Sequence, residues 1–168
     1  GLLENSFELK VLRKDGSVLY SEATSVPIAF DGHPALLLIA QDITDRKQAE
    51  DTRRLLEEKF TKIFQISPDS LSITRLSDGK FIDVNDGFER ASGFSRDELI
   101  GKTSLEINTW VNPQDREHII EEIRHKGEVR DYEVLIRDKY GEIFTNLMTI
   151  KMIEIDHEQF LLSNLRDI

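Results

Sequence analysis

Hydrophobic and polar residues alternate along two widely separated stretches of the chain, and a helical spacing separates them. Tyr132, Val134 and Ile136 alternate with Glu133 and Arg137, the two-residue period of a half-buried strand. A turn at Lys139-Tyr140-Gly141 follows, where glycine supplies the positive φ that such hairpins need. Ile143–Ile155 is a long β-rich run, Asp156-His157 a second turn, and Phe160–Leu165 a closing strand, so the segment predicts an antiparallel meander. The start of the chain carries the same pattern. Phe7–Ile43 aligns on Tyr132–Ile168 without a gap at a constant offset of 125, with 10 of the 37 positions identical, among them Lys14/Lys139, Gly16/Gly141 and Asp31/Asp156. A register held over that length points to duplication. The repeated piece opens the chain and also closes it. The chain is therefore expected to begin inside one unit and to contain one nearly whole second unit, with Gly1 and Ile168 as cut points and not natural domain edges.

Between the repeats, Asp45–Phe64 has a helical composition. Ala49, Leu56 and Ile63 recur every seven residues with Arg53 and Phe60 at the intervening seam positions, which leaves open a weak coiled coil or a helix packed on its own domain. The second unit opens with strands at Leu71–Arg75 and Lys80–Val84 around a turn at Ser77-Asp78-Gly79. Short helices follow. Ser95-Arg96-Asp97-Glu98 is a capping box, Gly101 stands at a helix end, Asn112-Pro113 starts the next helix and Gly127 stops it. The predicted order is β-β-α-α-α-β-β-β.

Composition narrows the function classes. The chain is 39% apolar and 32% charged, that of a folded domain and not a disordered one. A net charge of −10 repels phosphate backbones and argues against a nucleic-acid partner. The absence of cysteine removes disulfides, thiolate metal sites and cysteine nucleophiles. The longest purely apolar run, Ala35–Ala40, is too short to span a bilayer, and no signal-peptide pattern opens the chain, so membrane contact is not expected and a cytoplasmic location is.

The ordered set Val84-Asn85-Asp86-Gly87-Phe88, Ser92-Gly93-Phe94-Ser95 and Glu98-Leu99-Ile100-Gly101 resembles the PAS family, as does each repeat, which ends in Asp42-Ile43-Thr44 or Asp167-Ile168. The resemblance implies an α+β PAS fold, a five-stranded antiparallel sheet with helices on one face, preceded by an orphan three-stranded half of an upstream PAS domain and a linker helix. The implied boundaries are residues 1–45 for the truncated upstream unit, 46–62 for the linker helix and 63–168 for a near-complete PAS domain. The three orphan strands would expose an apolar face and free edges, so self-association into a dimer, or a swap, through them is expected.

The resemblance also implies a sensory signal-transduction module, from a protein such as a sensor histidine kinase or a diguanylate cyclase. It would bind a small ligand or partner between the sheet and the long helix and relay a strand shift through the linker helix to a downstream output domain. Asp42 and Thr44 are the relay candidates, because both can cap the outgoing helix and bond back to the strands. The pocket candidates are Ile73, Phe88, Trp110, Ile119 and Val134, together with Ile136, Asn146, Met148, Ser163 and Leu165. Trp110 reads as a ligand-stacking ring or as a hydrophobic plug, with the plug favoured. A ligand-free dimerisation spacer is the rival to sensing, and a flavin- or haem-bearing sensor is the third reading.

Little in the sequence argues for a cofactor or for catalysis. Asn146 falls where flavin-binding LOV domains of the same family place an amide on the flavin edge. Leu165 and Ile136, however, replace their glutamine and second asparagine, and their cysteine is missing. His33 and His157 belong to turns. His118 and His125 lie opposite the apolar face of Ile119, Ile120 and Ile123, where no pocket haem could reach them. No nucleophile elbow, phosphate-binding loop or kinase motif is present, so this segment is not expected to be an enzyme.

Overall fold

The computed structural model describes residues 5–168 and divides the chain into two units, with the division between Lys59 and Phe60. Gly1, expected as a cut point, lies outside the described residues. The first unit holds three strands, β1 (Asn5–Leu12), β2 (Val18–Phe30) and β3 (His33–Asp42), paired antiparallel in the order β1-β2-β3. The long helix α1 runs Thr44–Ile66 and so crosses the division.

The second unit contains β4 (Ser70–Arg75), β5 (Phe81–Val84), α2 (Asp86–Ser92), α3 (Arg96–Leu99) and α4 (Pro113–Lys126). The strands β6 (Glu128–Arg137), β7 (Ile143–Ile155) and β8 (Glu158–Asp167) complete it. Its five strands form one sheet in the order β5-β4-β8-β7-β6, with each pairing antiparallel. The element order is the expected one. Strands β2 and β3 correspond to β7 and β8 at the offset of 125, end for end.

Local chemistry fixes the helix ends. The Glu98 carboxylate accepts the Ser95 amide at 2.9 Å, closing the first turn of α3. Pro113 occupies the first turn of α4, where a missing N–H costs nothing, and Gly127 ends that helix at φ 78° with its amide on the Ile123 carbonyl at 2.7 Å. Strand β6 begins earlier than the alternation predicts. A bulge between Val129 and Tyr132, with Asp131 at φ 50°, breaks the two-residue period at that point.

The core lies on one face of the five-stranded sheet. Ile119 and Ile123 of α4 pack with Trp110 against Val134, Met148 and Leu161. A second cluster joins Phe81 and Val84 of β5 to Phe88 of α2 and Leu99 of α3. In the first unit the corresponding strand face carries Phe7, Leu9, Leu36 and Leu38, all exposed.

Candidate functional site

Asn85 organises the edge of the site. It is fully buried, caps α2 by accepting the Phe88 amide at 2.8 Å, and accepts the Leu71 amide at 2.9 Å. Its Nδ2 donates to the carbonyls of Phe64 at 3.1 Å and Asp69 at 2.9 Å. One side chain thus ties the end of α1, the start of β4 and the start of α2 together. Gly87 completes the junction, because a Cβ there would overlap the Asp69 carbonyl.

Between the sheet and the helices of the second unit lies a cavity of about 420 Å³. Its sheet wall mixes hydroxyls and an amide (Ser70, Ser72 and Thr74 of β4, Ser163 of β8 and Asn146 of β7) with apolar side chains such as Met148, Ile150, Leu161 and Leu165. The register places Ser72 opposite Ser163, so the two hydroxyls are side by side on the inner face. The opposite wall carries the apolar side chains Phe88, Trp110, Ile119 and Ile120 beside polar ones such as Ser104 and Arg116. Such a lining, apolar with a few convergent polar groups, is typical of small-molecule sites.

Eight of the ten pocket candidates line this cavity: Phe88, Trp110, Ile119 and Ile136, and Asn146, Met148, Ser163 and Leu165. Two do not. Val134 is buried in the core cluster but does not reach the cavity. Ile73 has the wrong parity. It pairs with Leu162 and Asp83, whereas its neighbours Ser72 and Thr74 face the cavity. Hydrophobicity suggested Ile73 as the inward residue of β4, but apolar residues occupy both faces of this sheet. The β4 hydroxyls were missed for the same reason, and their two-residue spacing was the available signal.

Trp110 acts as a fixed wall. Its indole N–H donates to the Ser104 hydroxyl at 2.9 Å, and it is 9% exposed. Asn146 supplies one amide to the lining, its Nδ2 3.4 Å from the Phe144 carbonyl, and Leu165 and Ile136 add apolar contact. His118 and His125 are exposed on the outer side of α4, and His157 is wholly exposed in its turn. Among the described residues no group of three or more His, Asp or Glu side chains is arranged to hold a metal ion. No helix among them is long and apolar enough to cross a membrane.

The relay candidates form a knot in the first unit. The Tyr20 amide donates to the Thr44 hydroxyl at 3.0 Å, and the Ile43 amide to the Tyr20 carbonyl at 2.8 Å. The Thr44 amide donates to Asp42 Oδ1 at 2.9 Å, and the Thr44 hydroxyl and amide hold the Asp42 carboxyl below its ordinary range. The second unit repeats the backbone part, with the Ile168 amide on the Thr145 carbonyl at 3.2 Å.

Comparison with known proteins supplies the family context. A family model described as PAS domain matches residues 3–45 and 68–168. Sporulation kinase A of Bacillus subtilis is 22% identical over 154 residues, covering 91% of this chain and 24% of that protein. The chain thus spans about a quarter of this relative. Among solved structures, the PAS domain of an HTR-like protein from Haloarcula marismortui is similar at a TM-score of 0.59 and 20% identity, covering 73% of this chain and 99% of that one. The LOV domain of a blue-light activated histidine kinase from Erythrobacter litoralis is similar at a TM-score of 0.52 and 26% identity, covering 61% of this chain and 97% of that one.

Proposed function

We propose that this chain, which belongs to the PAS domain family, is a non-catalytic sensory module of a signal-transduction protein and that it binds a small molecule in the cavity of its second unit. The observation that carries this reading is the cavity of about 420 Å³, whose largely apolar lining carries a group of hydroxyls and an amide on the sheet. A domain used only as a spacer gains stability by filling such a space, since each unfilled volume forfeits packing.

Comparison of the repeats supports an assignment to the second unit. At the offset of 125, Ser163 corresponds to Leu38, so the first unit has an apolar side chain where the second has a hydroxyl, while Asn146 corresponds to Ser21. In this reading residues 1–45 are the closing strands of an upstream PAS unit, residues 46–62 a linker helix and residues 63–168 the sensing unit. Occupancy shifts β8, and the Asp-Ile end of that strand passes the shift on, as Asp42-Ile43-Thr44 does from the upstream unit into α1. The output is a kinase domain, a reading that the similarity to Sporulation kinase A supports. The exposed apolar strands of the first unit pair with a second copy, which light scattering on the purified chain tests: a dimer is expected at high micromolar concentration, and a monomer overturns that part.

The test of sensing is Ser163→Leu, which copies Leu38 of the other repeat and fills the cavity. Native mass spectrometry should find a small molecule retained by the wild-type chain and lost from the variant, and the full-length protein should lose its response to stimulus. A full-length variant that responds normally would show the unit to be a ligand-free spacer.

A further inference from the structure

We infer that the cavity takes a small organic anion with an apolar body, its carboxylate held by Arg116. The inference rests on the ligand-binding reading above and adds the class of ligand.

The charges around the cavity carry the argument. Three acids line it: Asp138 accepts the amides of Tyr140 and Glu142, both at 2.8 Å, and Asp69 accepts Asn164 Nδ2 at 3.2 Å, bonds that orient these carboxylates without cancelling their charge. Asp167 is the third. Four arginines line it. Arg75 is neutralised by Asp78 at 3.1 Å and Glu158 at 2.8 Å, whereas Arg90, Arg116 and Arg166 have no carboxylate partner among the described residues. Three arginines without carboxylate partners thus stand with three acids in the lining, and the cavity holds guanidinium groups free to take an anion.

Arg116 is the best placed of the three. It is half-buried, while Arg90 and Arg166 are largely in solvent. It projects from α4, and its Nη2 lies 2.9 Å from where a Cβ on Gly79 would stand, so the guanidinium rests against the β4–β5 turn at the cavity wall. Residues one helical turn away, Asn112, Pro113, Ile119 and Ile120, offer it no acid. A guanidinium presents a planar fork of donors that matches a carboxylate. The apolar wall of Phe88, Trp110, Ile119 and Ile120 would receive the rest of the ligand, and an inorganic anion would leave that wall unused.

The test uses the 168-residue chain, calorimetry, and the fluorescence of Trp110, the single tryptophan, which lines the cavity. The probes are octanoate and 4-phenylbutyrate, each paired with the alcohol of the same skeleton, and inorganic phosphate. At least one carboxylate is expected to bind tenfold or more tightly than its alcohol, with phosphate failing to compete. Arg116→Met should remove that preference, and Arg116→Lys should restore part of it. Equal affinity of acid and alcohol in the wild-type chain, or a preference that survives Arg116→Met, would overturn the anion assignment and leave the cavity as a ligand site. Binding of phosphate as tight as that of the carboxylates would overturn the apolar body. Failure of every probe, acids and alcohols alike, would overturn this inference, while retention of a small molecule by the wild-type chain in native mass spectrometry decides the sensing reading separately.

Discussion

The carboxamide oxygen of Asn85 sits 2.8 Å from the amide of Phe88, and the same side chain reaches β4 and the end of α1, 14 and 21 residues away. Removal of this group leaves two buried N–H donors and two carbonyls short of partners. Asn85→Ala is expected to cost on the order of 3 kcal/mol or more, since each unsatisfied buried group costs roughly 1–3 kcal/mol. Asn85→Asp keeps the acceptor bonds but turns the donor edge into an oxygen facing the Phe64 and Asp69 carbonyls. It should be about as damaging at neutral pH and milder in acid, where a protonated carboxyl can donate. Urea unfolding followed by Trp110 fluorescence measures both.

Gly87 and Gly101 are glycines for different reasons, and alanine separates them. Gly87 lies inside α2, where alanine would ordinarily favour the helix, yet a Cβ there would overlap the Asp69 carbonyl oxygen and lie 2.9 Å from its carbon. Backbone must move to admit it, so Gly87→Ala is expected to destabilise by about 3 kcal/mol, the upper part of the usual overpacking range. Gly101 has open space but a φ of 82°, so Gly101→Ala should cost only about 1–2 kcal/mol of left-handed strain. Equal effects in thermal denaturation would mean that the Asp69 contact is not what excludes a side chain at position 87.

The contrast between these residues shows what the sequence disclosed. The repeat made the meanders legible: a constant offset of 125 carries β2 onto β7 and β3 onto β8 without adjustment. Helix ends were legible because Ser95, Pro113 and Gly127 act through their own backbone. The role of Asn85 was not, since its partners lie 14 and 21 residues away and no local pattern announces them. The cavity was legible on β8, where Leu161, Ser163 and Leu165 follow the inward parity, and illegible on β4. There Leu71 and Ile73 present an apolar outer face, and strand alternation alone cannot say which side the helices cover. The bulge at Asp131 broke the alternation of β6 for a similar reason, because its register depends on Thr149, whose hydroxyl accepts the Asp131 amide at 3.2 Å.

Thr44 offers a test of the connection between β3 and α1. Thr44→Val keeps the shape of the side chain and deletes the oxygen that the Tyr20 amide uses. The expected loss is about 1 kcal/mol, the usual cost of a missing cap or hydrogen bond. It should be local, with hydrogen exchange accelerated at Tyr20 and at Lys47, whose amide closes the first turn on Ile43. Unchanged protection at both amides would remove Thr44 from the relay.

A final prediction concerns pH and the contact between the β6–β7 turn and α3. Lys139 Nζ lies 2.6 and 2.8 Å from the two oxygens of Glu98, and the Lys139 amide donates to the Ser92 carbonyl at 2.9 Å. Tyr140 packs on Gly93, where a Cβ would come within 2.7 Å of its ring. The Lys139 ammonium, then the Ser95 amide and hydroxyl, lower the Glu98 pKa from 4.5 to about 2. The folded-state pKa is depressed, so the stabilisation is present above the unfolded pKa and is lost as pH falls from about 4.5 through about 2. Both partners are substantially in solvent, and salt should weaken the pair. Lys139→Gln is expected to raise the Glu98 pKa by removing the largest cause, but not to its ordinary value, because the two Ser95 bonds remain. Carboxyl NMR titration of Glu98 in both proteins measures the shift. A Glu98 pKa unmoved by Lys139→Gln would mean that Ser95 alone sets it and that the turn is held to α3 by Tyr140 and the Ser92 carbonyl without the ion pair.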